Sequence, residues 1–141
     1  MHHMERGSAS LEFVIVALGV LIPILAVTVS VSVIQRAQFA VTEIARQGVR
    51  AFALSATSTA GNRAIRRTAR LTLSDFGLDG TARFTVTCSE SPCHSRGGMI
   101  RLTSTLEVPL VMVPALPGIE TLATVPVRAS ATHRVPLPVV P

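Results

Sequence analysis

The sequence predicts an α+β protein tethered through its N-terminus: a long transmembrane helix continuing into an amphipathic helix, a second short helix, and a small three-stranded antiparallel sheet. Three observations carry this. Residues 13–35, between Glu12 and Arg36, contain no charge. From Arg36 the apolar positions recur at i, i+3, i+4, i+7, as on one face of a helix. Beyond Asp79-Gly80 the repeat drops to two, as on a strand with one buried side.

The uncharged run has 23 residues. At 1.5 Å per residue it makes a helix of about 35 Å, enough to cross a hydrocarbon core of ~30 Å. A secretory signal has a shorter apolar centre and a small-residue cut after it. Here Gln35-Arg36-Ala37-Gln38 follows, with no such cut, so the helix is expected to stay on the mature protein. Pro23 cannot donate to the carbonyl of Gly19, so a kink is expected between them, either as a tolerated membrane-helix proline or as a loosened stretch used in packing.

From Arg36 to about Ser55, the residues Ala37, Ala40, Val41, Ile44, Ala45, Gly48, Val49 and Phe52 form one stripe, so the helix continues out of the membrane and covers the sheet that follows. Glu43 and Arg46 stand at i, i+3 on its polar face, a pair worth a few tenths of a kcal/mol. The small-polar stretch 55–62 breaks the helix, and Thr59 or Asn62 is expected to cap the next one. In that helix, Arg63 to Phe76, the residues Ile65, Ala69, Leu73 and Phe76 share a face. Arg63, Arg66, Arg67 and Arg70 share the opposite one, and Gly77 is the stop. The arginines read first as a solvated face, with lipid headgroups or an acidic partner subunit as the alternative.

Three amphipathic strands follow. Ala82, Phe84, Val86 and Cys88 alternate with Arg83, Thr85 and Thr87; Ile100, Leu102, Leu106, Val108, Leu110 and Met112 alternate with Arg101, Thr103, Thr105 and Glu107; Val125, Val127, Ala129, Ala131 and Val135 alternate with Arg128, Ser130, Thr132 and Arg134. Pro109 and Pro126 belong at strand edges, starts or bulges. Residues 114–118 form a turn-rich loop, and 135–141, with three prolines, an extended tail.

With 141 residues there is room for one small domain after the helix. All 13 basic residues are Arg, the formal charge is +5, and five Phe are the whole aromatic stock, too few stacking rings for a nucleic-acid site. No HExxH, P-loop, GxGxxG or GxSxG pattern occurs, so no catalytic residue, cofactor or small-molecule substrate is expected. Cys88 and Cys93 bracket Ser89-Glu90-Ser91-Pro92. In an extracytoplasmic domain such a pair reads as a small disulfide staple. The alternative is a metal site of Cys88, Cys93 and His94, which lacks a fourth ligand and the CxxC spacing; no metal is expected.

Arg6-Gly7-Ser8-Ala9-Ser10-Leu11-Glu12-Phe13 before an apolar helix resembles the class III signal of type IV pilins, and most closely the TadE-like minor pilins (pseudopilins) of tight-adherence, or Flp, pilus systems. The resemblance implies that a membrane prepilin peptidase cuts after Gly7, leaving Ser8 as the first mature residue. It implies that Glu12 and Phe13 open a helix used in assembly, and that the partners are the membrane, that peptidase, other pilin subunits and pilus assembly proteins. Residues 1–7 would be the leader, 8–35 the transmembrane helix, 36–80 a helical region and 81–141 the antiparallel region. Arg36, Arg46 and Arg50 against Arg6 weakly favour the opposite orientation by the positive-inside rule. A cytoplasmic cut, the tolerance of long domains for translocation and the cysteine pair place the N-terminus in the cytoplasm and the C-terminal domain outside. The expected function is a structural subunit of a pilus or related secretion machine. The alternative is a signal-anchored extracytoplasmic binding domain that does not enter a filament.

Overall fold

A computed structural model of the chain describes residues 6–109 and 124–136, with side-chain surroundings from residue 10 onward. Helix α1 (Arg6–Ala53) and helix α2 (Ser58–Asp75) precede strands β1 (Arg83–Cys88), β2 (Met99–Pro109) and β3 (Thr124–Arg134), which pair antiparallel in the order β1-β2-β3. The architecture is the expected α+β one. Leu110, Met112, the expected 114–118 loop and the expected tail from residue 137 lie outside the described residues.

Helix α1 has 48 residues and runs unbroken through Pro23, so the membrane-length run and the amphipathic stripe belong to one rod of about 72 Å. Gly7 and Ser8 are helical. All eight stripe residues, Ala37 through Phe52, are buried. Glu43 accepts a hydrogen bond from Gln47 one turn on, where the sequence suggested Arg46. The helix ends as its last amides turn back, Leu54 N–H to the Arg50 carbonyl at 3.1 Å and Ser55 N–H to the Phe52 carbonyl at 3.1 Å.

Thr57, and neither Thr59 nor Asn62, caps α2: it is extended (φ −142°, ψ 155°) and its Oγ1 accepts the Ala60 N–H at 3.2 Å. Several hydroxyl residues stand in a row here, each able to cap. With the helix starting there, Gly61 lies on the Phe52 ring. A Cβ at Gly61 would come within 2.5 Å of that ring, so only glycine lets the two helices approach so closely. At the other end Gly77 takes φ +61°, its N–H bonds the Ser74 carbonyl and the Leu78 N–H bonds the Leu73 carbonyl at 2.9 Å, a Schellman stop.

In β2 the residues Ile100, Leu102, Ser104, Leu106 and Val108 are buried, and their neighbours are more exposed. The partners opposite them, Cys88, Val86 and Phe84 on β1 and Val125, Val127, Ala129 and Ala131 on β3, share that face. The other face carries Thr and Arg, with Arg83 and Glu107 at 3.6 Å in an exposed pair worth about 0–1 kcal/mol. Pro109 ends β2, and Pro126 lies within edge strand β3, where a missing N–H is tolerated. Val135, expected to open a free tail, is buried and pinned: its N–H bonds the Gly98 carbonyl at 2.8 Å and its carbonyl accepts the Gly97 N–H at 3.3 Å.

α1 lies across β2 and β3 and against α2. Its lower half, Ala37 to Ile44, forms one cluster with Leu73, Ala82, Leu106, Val108 and Val127. Its upper end, Val49 to Ala53, forms another with Ile65, Ile100, Leu102 and Val135. The membrane-length run therefore leads directly into the head, with the β1–β2 connection at the far end.

Ser104 is 0% exposed at the centre of β2, and among the described residues its hydroxyl has no hydrogen-bond partner. An orphaned buried hydroxyl costs about 1–3 kcal/mol. Ser104→Ala is therefore expected to raise the thermal midpoint of the head by about 4–8 °C per kcal/mol recovered. Calorimetry of the detergent-solubilised chain measures it; a lowered midpoint would show that the hydroxyl stabilises the core.

Candidate functional site

The N-terminal part of α1 has no partner among the described residues of the head. Phe13 is 74% exposed, and Leu11, Ile15, Val16, Leu21, Ile24 and Val27 are all more than half exposed. So long an apolar surface far exceeds the few hundred Å2 that water-soluble monomers tolerate. It is long and apolar enough to cross a membrane. Two hydroxyls in the run suit such a place, because they are satisfied inside the helix: Thr28 Oγ1 donates to the Ile24 carbonyl and Ser30 Oγ to the Ala26 carbonyl, both at 2.8 Å.

Gly7, Ser8, Glu12 and Phe13 lie together in the first two turns of α1. Glu12 projects from a helix that is uncharged for the next 23 residues. Glu12 stands about one helical turn after Ser8. Among the described residues a Cβ at Gly19 would meet nothing within 4 Å.

Cys88 and Cys93 lie at the opposite end of the head, about 60 Å further along the α1 axis than Glu12. They are joined as a disulfide with Cα atoms 5.3 Å apart, closing a loop that contains a cis Ser91–Pro92 bond. This excludes thiolate ligation by the pair, and among the described residues no His, Cys, Asp or Glu cluster fit for a metal occurs. Both cysteines pack on the upper core cluster. His94, the third residue of the alternative metal site, is packed instead. Its ring stacks on Phe52 at 5.0 Å, and its Nε2 is 3.0 Å from the Phe52 carbonyl. A carbonyl can only accept, so Nε2 carries the proton and donates to the Phe52 carbonyl at the α1 terminus, which also accepts the Ser55 N–H. The loop is thus fastened twice, by the sulfur bridge to β1 and by His94 to α1.

Thiol labelling of the purified chain under denaturing, non-reducing conditions is expected to find no free cysteine, and elemental analysis no stoichiometric zinc. Cys88→Ser is expected to cost less than about 3 kcal/mol, the entropic value for a loop of 15 residues, because the cysteines stand only five positions apart. Free thiols in freshly isolated mature protein would contradict the staple.

Compared with known proteins, the chain matches no family model, no curated protein and no solved structure.

Proposed function

We propose that this chain is a structural minor pilin or pseudopilin of a tight-adherence (Flp, type IVb) pilus or a related secretion machine, anchored in the membrane and assembled through its N-terminal helix. The observation that carries the reading is one continuous helix whose second half is the backbone of a small head and whose first half is apolar, uncovered and opened by Glu12. A helix that merely tethers a domain needs only length and hydrophobicity. This one adds a glycine five residues before a carboxylate at the mouth of the apolar run.

In this reading the N-terminus starts in the cytoplasm and the peptidase cuts after Gly7. The head then stands outside, held by a disulfide suited to an oxidising compartment. In a filament the exposed face from Leu11 to Val31 exchanges lipid for the helices of neighbouring subunits. The protein's role is mechanical, with no catalytic residue, cofactor or nucleic-acid partner.

Intact-mass analysis of the protein from cells with and without the prepilin peptidase tests this. The expected result is a chain beginning at Ser8 in the first and an uncut chain in the second. The same uncut mass in both would favour an anchored binding domain outside any filament.

A further inference from the structure

Among the described residues, β1 pairs with β2 alone, so its other edge carries unpaired backbone N–H and C=O groups. Strand β1 has no proline, and its inward-facing Phe84 and Val86 are only half-buried. α2 packs on α1, and no Cα of α2 comes within 8 Å of a Cα of β1. Between them run two adjoining hollows of about 470 and 460 Å3, which share Arg66 and Phe84.

Layer geometry explains the opening. Packed helices lie about 8–10 Å apart and strands about 4.8 Å apart, so two helices side by side cover roughly four strand positions. Among the described residues this sheet has three strands, and α1 lies over β2 and β3. The position they leave vacant is beside β1, under α2. Its floor and walls are Ile65, Ala69, Phe84 and Val86, its rim is Arg66 and Arg70, and no carboxylate lines either hollow.

We propose that this cleft receives an extended, acidic segment of a different protein, which adds to β1 as a fourth strand. Its backbone would satisfy the free edge of β1. Alternate apolar side chains would enter between β1 and α2, and carboxylates near the rim would meet Arg66 and Arg70. A second copy of this chain is a poor occupant, because edge-to-edge pairing of two β1 strands would bring two arginine rims together on chains of net charge +5. The inference is independent of filament assembly and does not rest on the pilin reading.

The test uses the full chain in neutral-detergent micelles and a labelled ten-residue peptide alternating valine and glutamate, followed by fluorescence anisotropy. Saturable binding is expected, weakened at least about tenfold when lysine replaces glutamate. A similar loss is expected when every second peptide amide is N-methylated, which removes the strand hydrogen bonds but keeps the charge. Arg66→Glu combined with Arg70→Glu should also cost about tenfold or more while the calorimetric transition persists, since both side chains are exposed. The N-methylated peptide needs no variant and decides the matter if that double variant does not fold. No binding, equal binding of the N-methylated peptide, or equal binding of the lysine peptide would overturn the proposal. So would arginine-dependent binding to phosphatidylglycerol vesicles without peptide binding, and so would self-association through this edge.

Discussion

Glu12→Gln is expected to leave membrane insertion, leader removal and the fold of the head intact, and to lower recovery of this subunit with sheared filaments by about tenfold or more. The variant keeps the volume of the side chain and removes only its charge. In a bilayer the exposed carboxylate of Glu12 can sit among headgroups at small cost. In a bundle of helices it would be surrounded by apolar faces like the one running from Leu11 to Val31, where an unpaired charge is expensive. Cutting after Gly7 supplies the partner, because the new Ser8 amine is a cation that the Glu12 of a neighbouring subunit can reach. At ~4 Å and an effective dielectric near 20 such a pair is worth about 4 kcal/mol before desolvation. If about 1.4 kcal/mol survives, occupancy changes tenfold. Quantitative immunoblotting of sheared filaments against whole cells measures the ratio. Wild-type recovery would return Glu12 to the membrane interface with no part in assembly.

The largest stability effect is expected at Phe52. Its ring is 2% exposed, packs against Gly61 with no room for a Cβ, and stacks on His94. It is therefore the piece that holds α2 and the disulfide loop to the end of α1. Phe52→Ala removes the ring from both neighbours at once, at an expected cost of about 3–5 kcal/mol. Against a typical domain stability of about 5–15 kcal/mol, the loss is severe. The thermal midpoint of the head should fall by at least about 12 °C, taking 4 °C per kcal/mol. His94 should lose its protection as well, and it should become modifiable by an imidazole-directed reagent at a rate close to that of an unfolded control. A drop of less than a few degrees would mean that the two clusters stand without this ring.

The large features were legible because they rest on period. The stripe from Ala37 to Phe52 and the alternation in β2 state their buried faces directly, and all eight stripe positions are buried. The 23 uncharged residues state the length of the apolar rod. The Cys88–Cys93 pair was readable because five residues is a short span with few other uses for two cysteines in an exported domain. What escaped depends on contacts between elements. Thr57 caps a helix that seats Gly61 on Phe52, a fit that no local propensity encodes. His94 meets Phe52 across 42 residues. The arginines of α2 were visible as a face, but the cleft beside them arises from the sideways placement of α2 over a sheet one strand too narrow.

The central claim is that the uncovered half of α1 enters a filament after cleavage at Gly7. Peptide and intact-mass spectrometry of washed, sheared surface filaments tests it most directly. The expected result is this chain in the filament fraction, beginning at Ser8. Its presence only in the membrane fraction, with residues 1–7 still attached, would contradict the account.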